Sequence, residues 1–590
     1  MHLASIRWLL LSVALFPVVA LFGSALPIAQ QEAKPTPTAQ NQAAAPLPSA
    51  PATSPSVPTS DVPHTPLGEA MVLASKGDCD AAIKKYQEVL QEKPKSPDAY
   101  AGLTRCYLKK KDVTQAYETI TKGLQAADGW PVRVALGEVY FRQGKIPEAE
   151  KEWVDVINSQ HPAARAYLGL ARVRWAIEMN KSAKAMIEKA RELDPADPEI
   201  ESSWVGTLPR SERIKYYEKY IADRNNSDAE KRENLESYLT YLKERAKRHD
   251  RPCRLVSKVT HTETPLVRLL TDPKHLRGYG LSVSLNGTHT NLMLDTGANG
   301  IVVKRRTAEK AGVAKLTETK IGGVGDKGPR NAYVGTANSI RIGELEFQDC
   351  PVEVIESRSV ADEDGLIGAD VFEDFLVDID FPDEKLKLSE LPKRPGQGDQ
   401  QLALKNDEDY SDEPEQSDKS DGSEATSEAG AKETASTVKS SGPQDRYIAP
   451  EMQSFTRVFR FGHYLLIPTK IGSAPNKLFL LDTGALTNAI SPEAAREVTK
   501  VHGDSDTTVK GISGSVKNVY SANKAVLQFG HLRQENQDML SFDTTSISES
   551  DGTEVSGFLG FVLLRFLDIK IDYRDALVDF SYDAKRYGRD

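Results

Sequence analysis

The sequence predicts a multidomain chain in which an all-α repeat domain is followed by two all-β modules of the same kind. Alanine recurs every 33 or 34 residues in the amino-terminal part of the chain. Further on, residues 292–298 read Leu-Met-Leu-Asp-Thr-Gly-Ala, and residues 479–485 read Phe-Leu-Leu-Asp-Thr-Gly-Ala. Two stretches of biased composition, 26–66 and 394–446, separate the blocks that can fold.

Composition narrows the class of protein. The chain has 590 residues, of which 39% are hydrophobic and 27% charged, with a formal net charge of −10. Nucleic acid is therefore not expected as a main partner, because neutralising phosphates requires clustered Lys and Arg. The same composition excludes a collagen-like chain, a multi-span membrane protein and a disulfide-dense small scaffold. The four cysteines, Cys79, Cys106, Cys253 and Cys350, lack the spacing of a zinc site, and their pairing stays open.

The first 25 residues have the pattern of an export signal. Arg7 precedes the apolar run 9–22, and Gly23, Ser24 and Ala25 supply small residues for cleavage. A run of this length is short for a membrane span, which needs about 20 residues. An uncleaved membrane anchor remains the alternative. In both cases we expect the body of the protein to lie outside the cytoplasm.

Two linkers are predicted. Residues 26–66 are mostly Pro, Ala, Gln, Ser and Thr, a composition that cannot bury enough apolar surface to fold. Residues 394–446 contain 13 acidic and 6 basic residues, a net charge of −7. A flexible segment of that length spans about 40 Å, which would let the blocks on either side pack together.

The helical block, residues 67–250, repeats with a constant phase. A large residue follows each recurring alanine by four positions, which suits two helices that approach at the small residue and fill the next groove with the large one. These pairs are Ala82 and Tyr86, Ala116 and Ile120, Ala149 and Trp153, and Ala183 and Ile187. The pattern resembles tetratricopeptide repeats, a helix–turn–helix family with a 34-residue period. The resemblance implies a concave surface for a protein partner, and a spacer without a ligand is the alternative.

The carboxy-terminal half contains the same β-rich module twice. Asp295 and Asp482 are 187 positions apart, and each follows an apolar strand-like segment. Each module continues with a Gly-rich hairpin, a tyrosine 38 residues after the Asp and an apolar-apolar-Gly triplet. The hairpins contain Gly323 and Gly325 in the first copy and Gly511 and Gly514 in the second; the tyrosines are Tyr333 and Tyr520, and the triplets are 366–368 and 558–560.

These motifs resemble retropepsin-like lobes of the aspartic proteases. The resemblance implies one lobe at 268–391 and another at 450–583, each with an Asp-Thr-Gly loop beneath a Gly-rich flap. It further implies that Thr296 and Thr483 tie the two loops together by their hydroxyls. Gly297 and Gly484 would let the backbone approach the carboxylates. The order of repeats plus two such lobes looks bacterial, which would place the protein in the periplasm or outside the cell.

Two adjacent carboxyl groups suit peptide hydrolysis without a metal or other cofactor. They cannot comfortably both ionise, so Asp295 and Asp482 would share one proton. The ionised carboxylate activates a water molecule, and the protonated one hydrogen-bonds the peptide carbonyl. The sequence leaves open which residue carries the proton. The function expected is therefore an exported aspartic endopeptidase acting on a peptide or protein substrate.

Alternatives remain at this point. A protein-binding scaffold with inactive protease-like lobes is a different class of function. The lobes can pair within one chain or with lobes of a second chain, and tethering favours the internal arrangement. His261, His275, His463 and His502 lack metal-type spacing and are interpreted as ordinary surface or loop residues. A chain starting near Arg268 is expected to fold without the repeats.

Overall fold

The computed structural model describes residues 65–161, 163–222, 229–247, 253–355, 364–395 and 445–586. The predicted signal peptide, nearly all of the first linker and most of the acidic linker lie outside these residues. Within the described part, no helix combines the length and the apolar character needed to cross a membrane.

The amino-terminal part of the described chain is helical. Several helices begin at a side-chain cap: Asp78, for example, accepts a hydrogen bond from the backbone N–H of Ala81 at 3.0 Å. The helices are α1 (Pro66–Ser75), α2 (Cys79–Glu92), α3 (Pro97–Lys109), α4 (Val113–Ala127), α5 (Trp130–Arg142), α6 (Ile146–Asn158), α7 (Ala164–Ala176), α8 (Asn180–Leu193), α9 (Pro198–Gly206), α10 (Arg210–Ala222) and α11 (Ala229–Ala246).

The repeated small and large residues form the contacts between these helices. All four recurring alanines are completely buried, and so is Trp153. The indole Nε1 of Trp153 donates to the carbonyl oxygen of Val134 at 3.1 Å. A Cβ added at Gly137 would lie 2.5 Å from that Nε1, so the neighbouring helix must have glycine there. The all-α repeat domain predicted from the sequence is confirmed.

The rest of the described chain is mainly β-structure. Four short helices are interspersed among the strands: α12 (Arg305–Lys310), α13 (Pro492–Arg496), α14 (Thr545–Asp551) and α15 (Phe561–Leu564). The strands are β1 (Arg254–Leu255), β2 (Thr262–Pro265), β3 (Val267–Asp272), β4 (His275–Leu285), β5 (Thr288–Asp295), β6 (Ile301–Lys304), β7 (Ala314–Ile321), β8 (Arg330–Ile342), β9 (Leu345–Ile355), β10 (Gly365–Gly368), β11 (Phe375–Asp380), β12 (Lys385–Glu390), β13 (Thr456–Arg457), β14 (Phe459–Phe461), β15 (Tyr464–Ile471), β16 (Asn476–Leu481), β17 (Ala489–Ile490), β18 (Val501–Gly503), β19 (Lys510–Gly511), β20 (Gly514–Ser515), β21 (Val519–Phe529), β22 (Leu532–Phe542), β23 (Gly557–Leu559), β24 (Asp568–Asp572) and β25 (Leu577–Ser581).

The two modules close into rings of the same strand order. In the first lobe the ring runs β4-β5-β10-β6-β9-β8 and returns to β4. In the second lobe the corresponding ring runs β15-β16-β23-β17-β22-β21 and returns to β15. The pairs β5–β10 and β6–β9 are parallel, as are their counterparts β16–β23 and β17–β22. The expected duplication of one all-β module is therefore confirmed in its topology.

A six-stranded sheet joins the lobes within one chain. Its order is β13-β25-β24-β11-β12-β2. The first three strands come from the second lobe and the last three from the first lobe, so the two lobes meet at the pair β11–β24. That pair is antiparallel, with Val377 opposite Ile571, and both side chains are completely buried. Buried residues of both lobes form one continuous hydrophobic core beneath this sheet. Burial of this apolar surface holds the two lobes together.

The repeat domain packs on the second lobe. Trp153 and Phe141 of the repeats share a hydrophobic cluster with Leu478 and Phe558 of the lobe. The hydroxyl of Thr553 donates to the carbonyl oxygen of Phe141 at 2.7 Å in a completely buried position. This shared core argues against the expectation that the lobes fold without the repeats. In addition, β1 and β2 lie before residue 268 and already belong to the lobe sheets.

Two tertiary links lie near the expected domain ends. Cys253 and Cys350 form a disulfide that fixes the chain before β1 to β9, and Cys79 and Cys106 are buried free thiols. On either side of the acidic linker, Arg394 and Tyr447 both bind the Asp575 carboxylate, at 2.6 and 3.0 Å. The two ends of that linker are therefore held at one point of the second lobe.

Candidate active site

The two Asp-Thr-Gly loops meet at the junction of the lobes. Asp295 is the last residue of β5, and Asp482 directly follows β16. The apolar-apolar-Gly triplets lie beside these strands: Gly368 is opposite Asp295, and the backbone N–H of Asp482 donates to Leu559 O at 3.0 Å. Parallel pairing therefore places each loop at an end of its ring, facing the other loop.

Thr296 and Thr483 connect the loops by four crosswise hydrogen bonds. The Thr296 hydroxyl donates to the carbonyl oxygen of Leu481 at 2.7 Å, and the Thr483 hydroxyl donates to that of Leu294 at 2.8 Å. Each hydroxyl oxygen also accepts the backbone N–H of the opposite threonine, at 3.0 and 3.1 Å. Both threonines are buried, so these bonds are shielded from water and fix the spacing of the two loops.

The loop glycines lie against the opposite carboxyl groups. A Cβ built on Gly484 would be 2.5 Å from Asp295 Cγ, and one built on Gly297 would be 2.9 Å from Asp482 Cγ. Real Cβ atoms essentially never approach to less than 3.0 Å. Only glycine therefore permits this approach of backbone to carboxylate at either position.

Hydrogen bonding to the two carboxyl groups is unequal. Asp482 Oδ1 accepts the N–H groups of Gly484 and Ala485, at 2.9 and 2.8 Å. Asp295 Oδ1 accepts the Gly297 N–H at 2.8 Å, whereas the Ala298 N–H goes to the Asp295 backbone oxygen. Burial raises the pKa of Asp295 well above its ordinary value, and the neighbouring Asp482 charge raises it further. Burial also raises the pKa of Asp482, but the two N–H donors oppose that increase.

The Gly-rich segments predicted as flaps contact each other. The N–H of Ser513 donates to Val324 O at 3.0 Å, and the N–H of Gly323 donates to the Ser513 hydroxyl at 3.2 Å. Gly325 and Gly514 have positive φ angles of 128° and 101°, which L-residues with a side chain rarely adopt. A Cβ on Gly511 would lie 2.7 Å from that of Val324. The four flap glycines thus form a close contact between hairpins of the two lobes.

His463 lies beside the Asp-Thr-Gly loop of the first lobe, in the turn between β14 and β15, which agrees with its interpretation as a loop residue. Its imidazole is half-buried and hydrogen-bonds the backbone of Gly297, and burial lowers its pKa to about 4. The adjacent Tyr464 is also half-buried, and burial raises its pKa, with smaller contributions from Asp482 and Asp295. Sequence analysis did not single out Tyr464.

Two further polar residues support the loops from behind the triplets. Asp370 accepts the N–H of Gly300 at 3.0 Å, and burial raises its pKa to about 6. In the second lobe, Asn488 Oδ1 accepts the N–H of Gly560 at 2.8 Å. Sequence analysis did not single out either residue. Groups of three or more His, Cys, Asp or Glu side chains that could hold a metal ion were not found among the described residues.

Comparisons with known proteins agree with the two parts of the fold. Residues 281–371 match a family model described as aspartyl protease, and residues 73–131 and 134–199 match two models described as tetratricopeptide repeat. The UBA domain-containing protein Mud1 of Schizosaccharomyces pombe is 29% identical over 125 residues, which are 19% of this chain and 36% of Mud1. The chain thus spans about a third of the length of this curated relative.

Two solved structures are also similar. A retropepsin-like aspartic protease from Rickettsia conorii is 21% identical and covers 23% of this chain and 94% of its own, with a TM-score of 0.17. An aspartic proteinase from Irpex lacteus is 11% identical and covers 56% of this chain and 99% of its own, with a TM-score of 0.31. The chain therefore combines a segment similar to the aspartyl protease family, residues 281–371, with two segments similar to tetratricopeptide repeats, residues 73–131 and 134–199.

Proposed function

We propose that this chain is an aspartic endopeptidase that hydrolyses peptide bonds with the carboxyl groups of Asp295 and Asp482. The observation that carries the proposal is the meeting of two complete Asp-Thr-Gly loops, tied together by Thr296 and Thr483. Each lobe supplies one carboxyl group, so the pair exists only when the lobes are associated. The six-stranded sheet associates them within a single chain.

The unequal hydrogen bonding assigns different roles to the two residues. Two backbone N–H groups stabilise negative charge on Asp482, which makes Asp482 the ionised member and general base. Asp295 then holds the proton of the pair, in keeping with its raised pKa. Asp482 takes a proton from water as the water oxygen bonds to the peptide carbon, and Asp295 donates its proton to the carbonyl oxygen. Collapse of the tetrahedral intermediate breaks the C–N bond: the amine leaves with the proton held by Asp482, and a hydroxyl proton of the intermediate returns to Asp295.

Cleavage of a fluorogenic peptide by the full chain tests this proposal. Asp295→Asn and Asp482→Asn should each abolish hydrolysis, and Asp506→Asn is a matched control because that carboxyl group is exposed on the second lobe. Mixing the two inactive variants should restore no activity, since both carboxyl groups must belong to one chain. Full activity in either active-site variant would instead favour a protein-binding scaffold, and recovery on mixing would show that lobes exchange between chains.

We further propose that the protein is exported and that its repeats bind a partner or substrate protein. The charge and hydropathy pattern of residues 1–25 supports export, and so does the Cys253–Cys350 pair, because disulfides persist in oxidising compartments. A fusion of residues 1–66 to a reporter enzyme active only outside the cytoplasm tests export. Reporter activity restricted to the cytoplasm would contradict it.

A further inference from the structure

Cys79 and Cys106 are free thiols at the amino-terminal end of the repeat domain, and neither belongs to the site described above. Cys79 is the first residue of α2, and Cys106 lies in the last turn of α3. Both side chains are buried, and they belong to one hydrophobic cluster formed by α1, α2 and α3. The two thiols therefore lie together where these helices pack.

The packing of α2 on α3 places the two cysteines opposite each other. Lys110 directly follows α3 and donates to the Asp80 carboxylate at 2.5 Å, so the start of α2 lies beside the end of α3. Asp80 is the neighbour of Cys79, and Lys110 lies one helical turn beyond Cys106, on the same face of its helix. The Cys106 thiol is hydrogen-bonded to the Cys79 side chain. The two sulfur atoms are therefore in direct contact, which is the arrangement from which a disulfide can form.

These helices form the end of the solenoid within the described chain. A repeat is stabilised largely by its neighbours, so an end repeat that has a neighbour on one side opens more easily than an internal one. On its outer side, α1 contributes Leu67, Leu73 and Ala74 to the cluster, and all three are only partly buried. A covalent bond between α2 and α3 would oppose this opening, because it restricts the open chain.

The closed form of this repeat protects both the thiols and a disulfide between them. Burial and the hydrogen bond with Cys79 raise the pKa of the Cys106 thiol to about 12. The thiolate is the form that attacks a disulfide, so exchange at Cys106 is slow while the helices are packed. Oxidation is therefore expected during folding or during local opening of the repeat, and the product is then shielded from reductants.

We propose that Cys79 and Cys106 are a modification site, at which oxidation to a second disulfide locks the end of the repeat domain. The oxidant is a disulfide-bearing molecule such as glutathione disulfide. The thiolate of one cysteine attacks the oxidant, which releases one glutathione and leaves a mixed disulfide. The thiolate of the other cysteine then displaces the second glutathione. Two protein thiols are thereby oxidised to one disulfide, and the oxidant is reduced to two thiols that take up the two protons.

This inference rests on the proposed export for its setting, because disulfides persist in oxidising compartments. The formation of the bond in the purified protein depends on neither export nor peptide hydrolysis. A failure of the experiment below is therefore distinguishable from a failure of either proposal.

Oxidation of the purified full chain tests the pair. The reduced protein is incubated with glutathione disulfide in a low concentration of urea, which favours local opening, and the remaining thiols are blocked with iodoacetamide. Mass spectrometry of the unreduced peptides should then find Cys79 linked to Cys106. The pair Cys253–Cys350 is the internal standard for complete oxidation. Blocked or glutathione-modified Cys79 and Cys106 in protein whose Cys253–Cys350 pair has formed would overturn the proposal.

Limited proteolysis of the same samples tests the lock. Oxidation should slow cleavage within α1 to α3 about ten-fold or more, because the cross-link raises the free energy of local opening. The double variant Cys79→Ala and Cys106→Ala should be cleaved at the same rate in both redox states. Cys350→Ala is the matched control: it cannot form the other disulfide and should keep the full effect of oxidation. An effect that persists in the double variant, or that is lost in Cys350→Ala, would assign the protection to the other disulfide and overturn the lock.

Discussion

Replacing Gly484 by alanine adds one methyl group next to the Asp295 carboxyl group and so tests the geometry of the proposed active site. The added Cβ would lie 2.5 Å from Asp295 Cγ, whereas ordinary van der Waals contact begins at 3.4 Å. Thr483 is fixed by buried hydrogen bonds to the opposite loop, so the backbone of Gly484 cannot easily move away. The Asp295 carboxyl group must therefore shift by about 1 Å, the difference between these distances.

A displacement of that size should lower kcat about 100-fold, because misplacing a reacting group by about 1 Å typically costs that much. The fold should survive, since overpacking a well-packed site costs about 1–3 kcal/mol. The assay is hydrolysis of a fluorogenic peptide, with kcat and KM determined separately and the unfolding temperature measured in parallel. We expect the loss to appear in kcat, because the shift affects the reacting carboxyl group.

Alanine substitutions at two other glycines serve as comparisons. Gly297→Ala should lower kcat less than Gly484→Ala does, since the added Cβ would be 2.9 Å from Asp482 Cγ. Gly503→Ala should behave like the wild type, because a Cβ there has no neighbour within 4 Å. A Gly484→Ala protein with activity within two-fold of Gly503→Ala would refute the geometry on which the reasoning depends.

Three further predictions concern stability. Thr483→Val leaves the Leu294 carbonyl and the Thr296 N–H unpaired, so it should lower the free energy of unfolding in urea by about 1–3 kcal/mol for each group. Thr483→Ser keeps the hydroxyl and should be near wild type. An equal loss of stability in both variants would contradict the crosswise hydrogen bonds. Burial raises the pKa of Asp378 from 3.8 to about 7, so the stability that its protonated form provides is full below pH 3.8 and is lost progressively as the pH rises to about 7. Between pH 5 and 8, the free energy of unfolding of Asp378→Asn should therefore fall less than that of the wild type. An equal fall in both proteins would contradict this prediction. A chain starting at Cys253 should aggregate or bind a hydrophobic dye, because it exposes Leu478 and Phe558; a monodisperse product with the wild-type unfolding temperature would show that the shared core is dispensable.

Local repetition made much of the fold predictable. The alanine-to-large-residue spacing identified the helices because each pair forms the same contact, as the complete burial of Ala149 and Trp153 shows. Asp295 and Asp482 were predicted for a related reason. Each is embedded in a repeated motif, and in both copies a tyrosine lies 38 residues after the Asp, in keeping with the shared ring order.

Features that depend on contacts between domains left no such pattern. The contact of His463 with Gly297 could not be predicted, because Gly297 belongs to the other lobe and is 166 positions away. The disulfide joins cysteines separated by 97 residues, and spacing alone could not select that pair.

Duplication within one chain explains how two similar loops can take different roles. In a symmetric dimer of identical lobes, the two carboxyl groups would have the same surroundings by symmetry. Here the copies have diverged: the N–H of Ala485 binds the Asp482 carboxylate, whereas the N–H of Ala298 binds the backbone oxygen of Asp295. The repeat domain also shares its hydrophobic cluster with residues of the second lobe, such as Leu478 and Phe558. In the proposed mechanism, this difference favours the ionised form of Asp482 and places the proton of the pair on Asp295, from which it can reach a peptide carbonyl.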